Sequence, residues 1–244
     1  SANAQMGDEI IVTATKREQT LQEVPLSVGV VSGEAIANQG TRMFTDIQSS
    51  VPNLQIDNTN GNFAITIRGL GTGAQNLAFE QSVALFVDGV YSSRARSMQV
   101  PLLDVARVEV VRGPQGALFG KNANAGAISI VTNRPPQDLR AELRAGTELV
   151  HGGYNASGYV SGPLTDTLAA RISGQVGKAD GYIRNRLTGV DDNSSKYWSG
   201  RVQLLWEPSP EFEALLKFEA FRNEVDGSNA MFNTLAKPGC GLCN

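Results

Sequence analysis

The stretch "VARVEVVRGPQGALFGKNANAGAISIVTNRP", residues 105–135, decides how this chain is read. It opens on alternating β-branched residues and passes through a run with glycines at 113, 116, 120 and 126. It then returns to alternation in "GAISIVTN". Strands are therefore predicted over 107–113 and 126–133, joined by a glycine-rich connection. The pair Gly120-Lys121 invites comparison with a phosphate-binding loop, whose backbone N–H groups wrap phosphate and whose Ser or Thr holds magnesium. The comparison fails: the first glycine of that pattern would fall at Gln115, the hydroxyl position is Asn122, and Pro114 removes a donor.

Outward from this stretch, the N-terminal half mixes short strands, short helices and turns. "PLSVGVVSGEAIANQG" reads as a strand, an N-cap at Ser32 and a short helix closed by Gly40. "TRMFTDIQSSVPNLQ" predicts a second helix stopped near Pro52, since the residue before proline resists the helical region. Further strands are expected at 63–68 and 83–89. Between them, Gly69-x-Gly71-x-x-Ala74 follows a strand, and Asp88 lies nineteen residues beyond Gly69, as in dinucleotide-binding folds. A soluble NAD-type enzyme is thus the runner-up. It is disfavoured because residues 74–82 are few for a crossover helix and no further βαβ units follow.

After Pro135-Pro136 the texture changes to period-two alternation. Ala141, Leu143, Ala145 and Leu149 alternate with Arg140, Glu142, Arg144 and Glu148. Leu168, Ala170, Ile172 and Val176 oppose Arg171, Ser173 and Gln175. Trp198, Val202, Leu204 and Trp206, then Phe212, Ala214, Leu216 and Phe218, repeat the pattern, and a weaker strand runs through "YNASGYVSG". Strands of about ten residues suit a tilted bilayer crossing. The connections "PLTDT" and "PSPE" are short, whereas 178–196 and the segment after 222 are long and polar, the habit of outer-membrane barrels. The competing architecture is a secreted binding module in which the same strands close a soluble sandwich.

Composition narrows the function classes. The 244 residues carry a formal charge of −3 without a basic block, which argues against nucleic acid as the main partner. One histidine, His151, and two cysteines leave poor material for zinc or Cys-His chemistry. No cofactor and no catalytic group are expected. "SANAQMGDE", of which residues 1–7 are set apart, reads either as the remnant of a secretory signal or as an ordinary flexible terminus.

The stretch at 105–135 resembles the plug-domain signature of TonB-dependent outer-membrane receptors: strand, Arg-Gly-Pro, a glycine turn, then Gly-x-Ile-x-Ile-Val-Thr. "ITIRG" (65–69) and "VALFVDGV" (83–90) are similar to the two preceding plug motifs, and "DEIIVTATK" (8–16) to the TonB box. The resemblance implies an α+β plug with a small mixed sheet over 8–137. The first antiparallel strands of an incomplete transmembrane barrel follow over 138–244. It implies a receptor in the bacterial outer membrane, its plug reachable from the periplasm, that takes up a scarce large substrate such as a ferric siderophore when the TonB protein pulls the plug. Contact with TonB is expected at Glu9, Ile10, Ile11, Val12, Thr13 and Ala14, where "EIIVTA" could add to a partner's sheet edge or serve as a strand of the plug itself.

The resemblance assigns Arg68, Glu109 and Arg112 to a latch against the barrel, with Glu142 and Glu148 as wall partners. Substrate-facing loops are expected at Gln75, Asn76 and Phe79 and at Tyr91, Arg94 and Arg96, and His151 in the first outer loop. Cys240 and Cys243 would lie in an external loop as a disulfide, with each other or with a cysteine elsewhere. About five barrel strands are legible, fewer than the eight of the smallest bacterial barrels, so the chain reads as an N-terminal piece of a receptor.

Overall fold

A computed structural model describes residues 11–12, 19–20, 22, 25–41, 43–59, 62–72, 81–92, 101–147, 152–181, 183–184, 191–192 and 194–226. In chain order its elements begin with β1 (Ile11–Val12), β2 (Gln19–Thr20), β3 (Ser27–Ser32), α1 (Gly33–Asn38) and a 3-10 helix (Phe44–Ser49). Next come β4 (Leu54–Thr59), β5 (Asn62–Ile67), β6 (Leu70–Gly71), β7 (Val83–Val87), β8 (Val90–Ser92), β9 (Val105–Arg112), α2 (Gly116–Phe119) and β10 (Gly126–Thr132). The remainder is β11 (Arg140–Thr147), β12 (Gly153–Thr165), β13 (Leu168–Ala179), β14 (Ile183–Arg184), β15 (Asp191–Asp192), β16 (Ser194–Ser209) and β17 (Phe212–Asp226).

The first half is built on a five-stranded mixed sheet in the order β3-β9-β10-β7-β8. Its β7–β10 pair is parallel and the others are antiparallel. β4, β5 and β6 form a second, antiparallel sheet. Between them lies one apolar core containing Phe44, Ile47, Ile65, Ile67, Leu85 and Ile128. Ser32 caps α1 as expected, accepting from the Ala35 N–H at 3.2 Å. The segment read as a second helix is instead a single 3-10 stretch, in which Asp46 takes the Met43 N–H at 3.0 Å. Six residues that must place both Phe44 and Ile47 in the core suit the three-residue period of a 3-10 helix.

The glycine-rich connection answers its own question. The Gly113 and Gln115 N–H groups donate to the carbonyls of Ala125 and Ala123, at 3.1 and 2.8 Å. Those donors extend the β9–β10 ladder and do not point at a phosphate. The dinucleotide pattern dissolves in the same way. Arg68-Gly69, with φ of 54° and 78°, and Asp88-Gly89, with φ of 47° and 79°, are two-residue hairpin turns. They join β5 to β6 and β7 to β8. Paired positive φ angles are what such tight turns require, and Asp-Gly is a favoured pair for them.

The second half is one antiparallel sheet in strict sequence order, β11-β12-β13-β16-β17. Two connections are tight, between Thr165 and Leu168 and between Ser209 and Phe212. β13 has 12 residues. At about 3.3 Å per residue and a tilt of about 40° such a strand rises about 30 Å, the thickness of a bilayer core. Among the described residues β11 and β17 are the edges of this sheet, and side chains of its polar face reach the first half.

Candidate functional site: the plug against the wall

Burial on the wall is inverted relative to a soluble domain. Arg171, Ser173, Gln175, Ser199, Arg201 and Gln203 are buried, Arg201 to 2% exposure. Their immediate neighbours Ile172, Val176, Trp198 and Val202 are exposed, as is Phe218 on β17 at 70%. A soluble sandwich would bury the apolar row, so that reading fails, and the outward face presents hydrocarbon as a lipid environment demands.

The polar row grips one corner of the plug. Leu103-Asp104, in the turn before β9, meets two wall arginines. The Arg171 guanidinium donates through Nε and Nη2 to the two Asp104 carboxylate oxygens at 2.5 and 2.6 Å. Both side chains are about 95% buried, and the Tyr159 ring lies 3.7 Å from the guanidinium carbon. Arg201 Nη1 donates to the Leu103 carbonyl at 2.7 Å, and its Nε to Glu219 at 2.9 Å. Asp104 holds a left-handed backbone, φ 51°, and receives the Asn133 side-chain amide at 2.8 Å. Strained backbone of that kind persists where surrounding contacts over-determine it.

A second grip lies at the β7–β8 hairpin. Asp88 accepts from Lys217 Nζ at 2.6 Å and from the Thr132 N–H and hydroxyl at 2.8 Å each. Burial alone would raise the Asp88 carboxyl. The hydrogen bonds from Lys217 and Thr132 and the ammonium charge outweigh it and hold the group below the ordinary carboxylate range. Gln203 Nε2 reaches the Thr132 hydroxyl at 3.5 Å, and Arg134 pairs with Glu213 near the tight β16–β17 turn.

The residues assigned to a latch from sequence make the following contacts. Arg68 and Arg112 converge on the Ser27 hydroxyl, at 3.1 and 3.3 Å, and Arg112 Nε is buried without a partner. Glu109, fully buried, pairs with Arg107 at 2.7 Å. Glu142 pairs with Arg144, whose Nη1 reaches Asn38 of α1 at 3.4 Å. Glu148 lies outside the described residues. The ion pairs at Asp104 and Asp88 set carboxylates of the plug against cations of the wall, whereas Arg134–Glu213 has the reverse polarity. Sequence reasoning placed Arg171 on the polar face but missed Asp104, Arg201 and Lys217. Regular strand spacing on the inward row pointed to Arg201 and Lys217; nothing periodic marks Asp104.

Of the expected TonB contact, β1 pairs with β2 through Ile11↔Thr20 and Val12↔Gln19. Val12 is buried against Val111, Leu26, Val28 and Val30. Glu9, Ile10, Thr13 and Ala14 lie outside the described residues, as do Gln75, Asn76, Phe79, Arg94, Arg96, His151, Cys240 and Cys243. Tyr91 is described: its hydroxyl accepts from Asn122 Nδ2 at 2.5 Å, and its half-buried ring packs 5.5 Å from Phe86. Among the described residues no cluster of His, Cys, Asp and Glu could hold a metal.

Comparison with known proteins agrees with this geometry. Residues 20–127 match the TonB-dependent receptor plug domain. The pesticin receptor of Yersinia pestis is 31% identical over 219 residues, covering 86% of this chain and 32% of the relative. The iron-regulated outer membrane virulence protein of Vibrio cholerae is 26% identical over 258 residues, covering 97% and 37%. The crystal structure of the ferric yersiniabactin uptake receptor FyuA from Yersinia pestis superposes with a TM-score of 0.70 at 30% identity, covering 81% of this chain and 31% of that one. The chain spans about a third of the length of the relatives it matches. Its plug match, its sheet topology and its inverted wall identify it as the plug domain and adjoining barrel strands of a TonB-dependent outer-membrane receptor.

Proposed function

We propose that this chain belongs to a receptor that takes up a large, scarce iron complex, a ferric siderophore, by energy-driven displacement of the plug. The observation that carries the reading is the wall whose arginines and glutamines are buried against the plug while its tryptophans and phenylalanines face outward. Such a wall is stable in a bilayer, and it presents to the plug a polar surface that can be rehydrated when the plug moves. A dry apolar contact of the same area would resist shear. The substrate class follows from similarity to a ferric yersiniabactin uptake receptor.

TonB contact is assigned to Glu9–Ala14, and coupling requires the β1–β2 pairing to open, since Val12 is packed inward. A two-residue strand pair has little to hold it and can exchange its partner for another sheet edge. Reception of substrate is assigned to the segments containing Gln75, Asn76, Phe79, Arg94 and Arg96, together with Tyr91. Arg68, Glu109, Arg112, Glu142 and Glu148 retain a proposed part in seating the plug.

The test uses the full-length receptor in cells lacking their own, supplied with radioiron bound to yersiniabactin and to other siderophores. Uptake is expected to stop with an uncoupler of the proton gradient. Ile11→Pro, which removes a backbone donor and fixes φ, is expected to stop uptake while surface binding persists. Uptake that survives the uncoupler would overturn the function, and uptake that survives Ile11→Pro would overturn the coupling segment.

A further inference from the structure

We propose that one outer rim of the wall binds the phosphate of an outer-leaflet lipid headgroup, through Lys178, Lys196 and Arg222 on three adjacent strands. The inference goes beyond the uptake reading and requires only that the apolar face of the wall lies in lipid.

The five-stranded sheet carries eight lysines and arginines, and strand register sorts them. Arg140, Arg144, Arg171, Arg201 and Lys217 share the inward row. Lys178, Lys196 and Arg222 stand on the outward row, the row of the exposed Val176, Trp198 and Val202. All three lie at the same end of it. Ten residues separate the Leu168–Trp206 pair, beside the tight turns, from the Lys178–Lys196 pair. At about 3.3 Å per residue and a tilt of about 40° that is a rise of about 25 Å, the height of the apolar band of an outer-membrane barrel. Arg222 is paired with Trp198, and the two lysines lie one step further out, level with Tyr154. The cations therefore sit where hydrocarbon ends and headgroups begin.

The opposite rim has a different chemistry. Its outward row ends on Leu164, Trp206 and Phe212, with the last two rings 5.6 Å apart, and none of the sheet's lysines or arginines joins it. Tight turns mark that rim, whereas the long connection 180–193 leaves from the cationic one, which is the habit of the external side. A ring of cations on one side alone matches a membrane whose outer headgroups are anionic.

The arrangement is costly without an anion. Lys178 and Lys196 are directly opposite each other on neighbouring strands, where like charges repel. Lys196 is exposed and has no ion-pair partner among the described residues. Lys178 pairs with Asp180 and Arg222 with Glu224, each at 2.5 Å. Those side chains are 36% and 43%, then 69% and 52%, exposed, and pairs so exposed contribute little and exchange readily. The carboxylates also stand further from the hydrocarbon. Glu224 is level with Lys196, Asp226 is a step beyond, and Asp180 follows the end of β13. Adjacent strands about 4.8 Å apart spread the three cations over about 10 Å, the span of one headgroup. A phosphate there accepts two parallel bonds from the guanidinium and further bonds from the ammonium groups.

The test uses the full-length receptor in phosphatidylcholine vesicles with a chelator of divalent cations. The probes are brominated phosphatidic acid and brominated phosphatidylcholine, which quench nearby tryptophans. The Trp198 and Trp206 signals are obtained by difference from Trp198→Phe and Trp206→Phe. Quenching at Trp198 is expected to favour phosphatidic acid on the order of tenfold, and quenching at Trp206 to favour neither lipid. Lys178→Gln, Lys196→Gln and Arg222→Gln together are expected to bring Trp198 to the Trp206 value, and Lys196→Arg to keep the preference. Equal preference at the two rims, or a preference that outlasts the triple substitution, would overturn the proposal. So would its loss to inorganic phosphate beyond the effect of chloride at equal ionic strength, which would assign the cluster to a free anion. The comparison of rims is made with all three cations in place, so it stands even where the triple variant fails to fold.

Discussion

The plug and the wall obey opposite burial rules within one chain. In the plug, Phe44, Ile65 and Ile128 are buried and the strand ends carry the polar groups, as water requires. In the wall, Val202 is exposed and the adjacent Gln203 is wholly buried. Alternation is present in both regions, so alternation does not say which face turns inward. The solvent beyond the outer face decides that, and the wall's polar interior meets charged groups of the plug, Asp104 and Asp88.

That contrast is sharpest where the two regions meet. Arg171→Ala leaves the Asp104 carboxylate buried and unpaired, a loss of about 3–5 kcal/mol. It is expected to release the plug to protease and to raise pore conductance. Arg171→Met with Asp104→Asn, which removes both charges and keeps a residue suited to the left-handed backbone and an acceptor for Asn133, recovers most of the retention. If Arg171→Ala leaves both readouts unchanged, the corner does not hold the plug.

The next effect probes the outer face. Val202→Arg places a charge in hydrocarbon, at a cost of about 2–4 kcal/mol near mid-membrane, and barrel stability in lipid vesicles is expected to drop accordingly. The same substitution at an exposed position of a soluble sandwich would cost little, so an unchanged midpoint in urea would break the distinction between the regions. Smaller again is Ser32→Ala, which removes the α1 cap and about 1 kcal/mol. It is expected to raise protease cleavage around α1 without disturbing the Asp104 corner, and equal cleavage of parent and variant would discount the cap.

Much of this was legible before any coordinates. Strands 83–89, 107–113 and 126–133 and the cap at Ser32 could be read because each rests on local chemistry: β-branched alternation, a side-chain acceptor, a glycine turn. The order of the plug sheet could not, since the parallel β7–β10 pairing joins segments about 40 residues apart. β4 was missed because "LQIDNT" sets only Leu54 and Ile56 against polar partners. The contact network was the least legible part. Asp104 looks in sequence like any turn aspartate, and its role arises from two arginines, 67 and 97 positions away, that the wall brings to it.

Acid sharpens the comparison between the two grips, because Asp88 is the more accessible. Its side chain is 25% exposed, against 4% for Asp104. The folded-state value of Asp88 is lowered, so its contribution is present above the unfolded carboxylate value of about 3.9 and is lost as pH falls through the lowered folded one. Plug retention, followed by protease accessibility in vesicles after brief acid exposure, is expected to stay flat from about pH 8 to 5 and to weaken only below about 4. Lys217→Met removes a hydrogen bond and a charge that hold the carboxyl down, so the part of the acid loss due to this grip is expected to shrink. An acid loss that keeps its full size in Lys217→Met would show that the hairpin grip does not set the acid limit and that other carboxylates do.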